Sequence, residues 1–335
     1  MKSIDTRLQQ TAEALVAAGK GILAADESHP TIKKRFEKLD IPNTEENRRA
    51  YREMLFSTPG FSKHISGVIL FDETIRQKHS SGVPFPQFLS GNGVIPGIKV
   101  DEGTAALPNF SGEKVTKGLD HLPERFAEYA KLGARFAKWR AVFSIGDRTP
   151  STYCIHANAH ALARYAALAQ DAGLVPIVEP EVLRDGSHMI ERCYEVTVRV
   201  LQEVFRQLNE ANVQLEGILL KPSMVTAGED VPDAPVEQVA ELTLRCLRNA
   251  VPAAVPGIVF LSGGQTSETA TAHLNAMNRR DNAPWRLSFS YGRALQDAPM
   301  HAWMGKPENI DAGQKALARR AELNGLATLG KYGGE

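Results

Sequence analysis

The sequence predicts an α/β protein: a single (β/α)8 barrel of the TIM-barrel class over residues 1–335, with an extra N-terminal helix. Three observations carry that expectation. Short apolar runs alternate with longer stretches of helical periodicity, about eight times over, as a closed barrel requires. Polar side chains follow directly on the apolar part of nearly every run. The GxGxxG fingerprint that an open dinucleotide-binding sheet carries after its first strand is missing.

Taken in order, the chain opens with Ile4, Leu8, Thr11 and Leu15 at helical spacing. That pattern predicts a surface helix and lacks the basic, apolar and cleavage regions of a signal peptide. Strands are predicted at GILAAD from Gly21, SGVILFDE from Ser66, VIPGIKVDEG from Val94 and ARFAKWR from Ala134. They continue with VPIVEPE from Val175, EGILLKP from Glu216, GIVFLSGG from Gly257 and RLSFSYGR from Arg286. Continuous apolar runs suit strands covered on both faces, as in a parallel sheet. Lys78 to Gly93, with PFPQF inside, reads as a long rim loop. Leu122, Phe126 and Tyr129 mark a helix that ends at Gly133. Ser151 opens one carrying Ile155, Leu162, Tyr165 and Ala169, which stops at Gly173. Ser187 opens another with Ile190, Tyr194, Leu201, Phe205 and Leu208 inward. No short repeat or Pro/Ser linker divides the chain.

Composition narrows the function classes. Lys and Arg number 39 and so do Asp and Glu, so no net field draws the chain to nucleic acid or an anionic membrane. No apolar run approaches the roughly 18 residues that span a bilayer. Cys154, Cys193 and Cys246 lie far apart without a CxxC pair, so they read as reduced core thiols of a cytoplasmic protein.

The polar strand ends carry the functional signal. They are Asp26 on the first run, Asp72 and Glu73 on the second, Lys99 and Asp101 on the third, and Lys138 and Arg140 on the fourth. Glu179 and Glu181 end the fifth, Lys221 the sixth, Ser262 the seventh, and Ser290 and Arg293 the eighth. Alternation puts Lys99 with Asp101, Lys138 with Arg140, and Glu179 with Glu181 on common faces. In a barrel such groups converge on the C-terminal mouth, where the chemistry is done. A single one could merely close its strand at the solvent boundary; the whole set, with three lysines in it, points to a site.

Two glycine turns point to an anion. LSGGQ presents Ser262, Gly263 and Gly264, and SYGRAL presents Ser290, Gly292 and Arg293, each leading into a helix. Backbone N–H groups and a helix N-terminus suit phosphate, and the loops after the last two strands are where barrels bind it. Among the lysines, Lys221 lies between Gly-Ile-Leu-Leu and Pro222, the most apolar setting. Lys138 and Lys99 would be neighbouring cations that favour its neutral, nucleophilic amine. Glu179 on the next strand suits the proton transfers of imine formation. A salt-bridging lysine is the competing reading. His156 and His160 have an i, i+4 spacing that can grip zinc, but no Glu follows His156 as in HExxH. Neither a metal nor another cofactor is expected.

The chain resembles the class I fructose-1,6-bisphosphate aldolase family. Matching stretches are GKGILAADES from Gly19, NTEENRRAYRE from Asn43 and GVILFDETIRQK from Gly67. PGIKVDEG, FAKWR, LARYA, VPIVEPE, LEGILLKPSMV, FLSGGQ and FSYGRALQ follow in the family's order. The resemblance implies that Lys221 forms the Schiff base, that Glu179 assists it, and that Asp26 and Lys138 handle the hydroxyl proton in C–C cleavage. It implies a C1-phosphate site at Ser262, Gly263, Ser290, Gly292 and Arg293. Ser28, Lys99, Arg48 and Arg140 are implied for the C6 phosphate or the sugar chain. It further implies a phosphorylated-sugar substrate and a cytoplasmic homotetramer of glycolysis and gluconeogenesis. A related Schiff-base aldolase, a transaldolase or a silent scaffold on the same fold are the alternatives. The chain departs from the family at His29, Pro30 and Thr31, where Thr-Gly-Ser is common, which leaves open a second hydroxyl at the C6 phosphate. It also ends at Glu335, and the family's flexible tail with its terminal Tyr is expected to be lacking. Tyr332 is expected to cap the last helix, outside the mouth.

Overall fold

The computed structural model describes residues 6–280 and 283–335. Its strands are β1 Gly21–Ala25, β2 Ile65–Leu70, β3 Ile95–Lys99, β4 Thr104–Ala106 and β5 Lys114–Thr116. They continue as β6 Phe136–Phe143, β7 Val175–Val182, β8 Leu219–Leu220, β9 Gly257–Phe260 and β10 Arg286–Tyr291. The helices are α1 Thr6–Leu15, α2 His29–Glu37, α3 Glu45–Phe56, α4 Asp72–Arg76, α5 Phe85–Gly91 and α6 Leu122–Lys131. After them come α7 Thr152–Asp171, α8 Ile190–Glu210, α9 Val236–Ala250, α10 Ser267–Asn278, α11 Arg293–Trp303 and α12 Ile310–Ala327.

Eight strands close a barrel in the order β1-β10-β9-β8-β7-β6-β3-β2, every pair parallel. Alternation then sorts each strand into two cores. Leu23, Val68, Ile98, Trp139, Val178 and Leu220 face outward into the large core under the helices. Ile22, Ile69, Phe136, Ile177, Leu219 and Val259 face inward and fill the barrel's lower half. Gly97 makes room there: a Cβ on it would stand 2.4 Å from the Phe136 ring. A strand side chain two residues further on points the same way. The inward positions just above this apolar floor are therefore Asp26, Lys138, Glu179 and Lys221.

The N-terminal helix departs from expectation. Ile4 lies outside the described residues, and Leu8, Ala12 and Leu15 form the buried face of α1, with Thr11 only half-buried. These side chains join the inner cluster and close the bottom of the barrel, so α1 is a plug rather than a surface helix. Capping at Ser151 agrees with the reading: its Oγ accepts from Cys154 N at 3.1 Å. Glu113 reinforces it, accepting from Ser151 N and Oγ at 2.6 Å each. By contrast α8 starts at Ile190 after Met189, which has no capping side chain, and Ser187 stands outside it. Lys78–Gly93 is less loop-like than expected, since Lys78 pairs with Pro84 and α5 follows, burying Phe85 and Leu89. The hairpin β4–β5 has no counterpart in the sequence reading; its return end carries Glu113 to the α7 cap.

Candidate active site

A cleft of about 950 Å³ occupies the C-terminal mouth. At its centre is a chain of alternating charges. Asp26 Oδ2 is 2.7 Å from Lys138 Nζ, Lys138 is 3.2 Å from Glu179 Oε2, and Glu179 Oε1 is 3.3 Å from Lys221 Nζ. All four groups are largely withdrawn from water, with Lys221 only 3% exposed. The sheet register brings them together. Lys99 is opposite Lys138 between β3 and β6, and Arg140 is opposite Glu179 between β6 and β7.

Burial alone would raise the Asp26 pKa, but Lys138 and then Lys221 outweigh it and hold the carboxyl at about 2. Burial works against charge on Lys138, yet Asp26 and Glu179 push its pKa well above the ordinary lysine value. Both groups are therefore ionised at neutral pH. Lys99 is engaged separately, 2.8 Å from Asp101 Oδ1. Arg140 pairs with Glu181 through its Nε.

Unsatisfied donors gather along part of the cleft wall. Ser262, Gly263, Ser290, Gly292 and Arg293 line it. Among the described residues the backbone N–H groups of Ser262, Gly263 and Gly264 have no acceptor. Among those residues, too, Ser290 Oγ is buried without a partner, and Arg293, the first residue of α11, makes no ion pair. These are unsatisfied donors grouped at a helix N-terminus, the environment that binds phosphate.

Ser28, the residue before α2, also lines the cleft, together with Thr31 and Arg35. Thr31 Oγ1 is 3.1 Å from Ser28 Oγ, so a second hydroxyl is present despite the altered segment after Ser28. Arg35 donates to Glu27 Oε1 at 2.7 Å, and its Nη2 is 3.8 Å from where a Cβ on Gly292 would be. The sequence reading passed over Arg35. Its spacing of 28, 31, 35 along one helical face could have revealed it.

Arg48 is elsewhere. It is absent from the cleft wall and its guanidinium grips Glu73 (Nε to Oε2 at 2.8 Å) and Asn43 Oδ1 at 3.1 Å. Glu73 likewise turns outward to Arg48 and to His29 at 3.2 Å. His156 and His160 sit on α7, directed at Glu203 and Gln207 of α8. Tyr332 does not line the cleft; its N–H donates to Asn275 Oδ1 at 3.0 Å. Among the described residues no cluster of three or more His, Cys, Asp and Glu side chains could hold a metal. No described helix is long and apolar enough to cross a membrane.

The family model "Glycolytic: Fructose-bisphosphate aldolase class-I" matches residues 7–335. A Xanthomonas campestris protein named "Probable fructose-bisphosphate aldolase class 1" is 58% identical, the match covering 98% of this chain and 99% of that one. "Fructose-bisphosphate aldolase 5, cytosolic" of Arabidopsis thaliana is 56% identical over 98% of this chain and 92% of its own. In three dimensions the chain is similar to the Plasmodium falciparum fructose-bisphosphate aldolase solved with TRAP and a small-molecule inhibitor. There the TM-score is 0.97 at 53% identity, over 98% of this chain and 96% of that one. An eight-stranded parallel barrel, a lysine-carboxylate centre at its mouth and these likenesses lead to one conclusion: the chain is an enzyme, a lyase, and belongs to the class I fructose-bisphosphate aldolase family.

Proposed function

We propose that the enzyme cleaves fructose 1,6-bisphosphate reversibly to dihydroxyacetone phosphate and glyceraldehyde 3-phosphate through a Schiff base on Lys221. The observation that carries this reading is the pairing of the lysines. Among the described residues Lys138 has two carboxylates and Lys99 has Asp101 at 2.8 Å, whereas Lys221 has only Glu179 within ion-pair range, at the longer distance of 3.3 Å. Lys221 is thus the amine least committed to a salt bridge, and it sits above the apolar floor of Ile177 and Leu219.

In this scheme Glu179 takes a proton from the Lys221 ammonium, 3.3 Å away, and the freed amine adds to the C2 carbonyl. A proton shift from nitrogen to oxygen gives the carbinolamine; Glu179 then returns its proton to the hydroxyl, which leaves as water and yields a protonated imine. Asp26 takes the C4 hydroxyl proton as the C3–C4 bond breaks, and its electrons pass to the imine to give an enamine. Lys138 holds Asp26 in position and ionised. Glyceraldehyde 3-phosphate departs, and the enamine is protonated at C3 and hydrolysed. Ser262, Gly263, Ser290, Gly292 and Arg293 take the C1 phosphate, and Arg35 is close enough to Gly292 to add charge there. Ser28, Thr31, Lys99 and Arg140 are assigned to the sugar chain and the C6 phosphate. No cofactor is required. We also assign the enzyme to glycolysis and gluconeogenesis, as a cytoplasmic homo-oligomer, a tetramer on the family pattern.

The test is borohydride reduction in the presence of dihydroxyacetone phosphate, followed by peptide mass spectrometry. The expected adduct is on Lys221; an adduct on Lys99 or Lys138 overturns the assignment. A chelator is expected to leave cleavage unchanged.

A further inference from the structure

We infer that His273 is a positioning residue for the C1-phosphate end of the cleft, acting through Gln265 on the backbone of the Ser262–Gly264 turn. The inference rests on the proposed reading of that end as a phosphate site. Gln265 holds the Ser262 carbonyl twice, from its own N–H at 3.1 Å and from its side-chain Nε2 at 2.9 Å. With that carbonyl claimed, the turn runs through Gly263 and Gly264 at φ of +56° and +84° and leaves the N–H groups of Ser262, Gly263 and Gly264 without acceptors among the described residues. Consecutive free N–H groups of this kind form an anion-binding concavity. A carbonyl rotated into it would oppose the phosphate.

The orientation of Gln265 is itself fixed from α10. Its Oε1 meets His273 Nδ1 at 2.6 Å. Reversing the amide would put Oε1 against the Ser262 carbonyl, acceptor against acceptor, so Nδ1 of His273 must carry the proton. His273 Nε2 is buried without a partner, which leaves no acceptor for a second proton. Burial, assisted by Arg184 and opposed by Asp233, lowers the His273 pKa to about 4, so the ring stays neutral in the required tautomer. His273 touches no residue of the Asp26–Lys221 centre and does not line the cleft.

The experiment compares half-saturating concentrations for borohydride trapping by dihydroxyacetone phosphate and by dihydroxyacetone, which lacks the phosphate. His273→Leu is expected to raise the first by about tenfold, the scale of one lost buried hydrogen bond, and to leave the second unchanged. His273→Asn, whose amide keeps a donor near the Nδ1 position, is expected to restore phosphate binding. Gln265→Met, with similar volume and no amide, gives the same phosphate-specific loss and serves if the leucine variant does not fold. Equal loss with both ligands, or no loss in a folded variant, overturns the inference while the Schiff-base reading stands. Failure of the unmodified enzyme to be trapped by dihydroxyacetone phosphate overturns both.

Discussion

Asp26 and Lys138 form a 2.7 Å ion pair across the barrel mouth, reaching from the end of β1 to the inward face of β6. Burial disfavours both charges, and their attraction with the help of Lys221 and Glu179 reverses that on each side. The Asp26 pKa falls from 3.8 to about 2 on folding. A carboxyl depressed in this way stabilises the folded state fully above its unfolded value and loses that contribution as pH falls through the folded one. The shift corresponds to about 2 kcal/mol. The stability gap between the enzyme and Asp26→Asn, measured by urea denaturation, is expected to shrink by that amount between pH 5 and pH 2. A gap that stays constant with pH would show that Asp26 is not held ionised by its neighbours.

Separate roles for Asp26 and Glu179 predict separable defects. Asp26→Asn is expected to be trapped by borohydride with dihydroxyacetone phosphate at near the normal rate, while cleavage falls by about 10²–10⁴, the range for a lost general base. Glu179→Gln is expected to slow the trapping itself by a similar factor, because dehydration of the carbinolamine loses its acid. Rapid-quench measurement of both steps distinguishes the two. Equal loss of both steps in both variants would mean that the four groups act as one unit.

The convergence of the charged strand ends was legible because strand alternation is simple. Once Ile22, Ile177 and Leu219 are read as interior, Asp26, Glu179 and Lys221 must follow on the same side or at the rim, whatever the helices do. Residues carried on helices were harder. Arg35 stands on α2 at helical spacing from Ser28 and Thr31, and such spacing marks a shared face without saying that the face lines a cleft. Arg48 is in a segment that matches the family, but a match carries no orientation, and α3 aims it at Glu73. The plugging role of α1 was hidden for a related reason. Helical periodicity marks an apolar face without saying what covers it, and the partner, the lower barrel layer, is distant in sequence.

Arg293 and Arg48 therefore differ in what their removal does. Arg293 makes no ion pair among the described residues and stands exposed at the N-terminus of α11. Arg293→Ala is expected to weaken bisphosphate binding by about 2 kcal/mol, as for a charged hydrogen bond. The same change in the KM for fructose 1-phosphate would identify the C1 end. Arg48→Ala loses the Glu73 and Asn43 contacts instead, so the expected result is a lower melting temperature with KM altered less than about twofold. A large KM effect at Arg48 with Arg293 silent would exchange the two assignments.

Tyr332 supplies the last test, because a phenol near the chain's end could be taken for the acid that protonates the enamine. Its surroundings argue otherwise. The backbone is tied to α10 on both sides: Tyr332 N–H donates to Asn275 Oδ1 at 3.0 Å, and Asn275 Nδ2 donates to the Tyr332 carbonyl at 3.2 Å. The hydroxyl faces Glu335 at 3.5 Å, and Glu335 is engaged in turn by Arg320. Burial and the Glu335 charge raise the phenol pKa. A general acid must come within hydrogen-bond reach of the carbon or of one bridging water, and Tyr332 is outside the cleft wall altogether. On the proposed mechanism we assign enamine protonation to Glu179, which lies between Lys138 and Lys221 at the mouth. Tyr332→Phe is expected to leave turnover and exchange of the C3 proton of dihydroxyacetone phosphate within about twofold of normal. Loss of a functioning general acid would instead lower the exchange by about a hundredfold or more. That outcome would require the C-terminal segment to leave Asn275 and enter the mouth during the reaction.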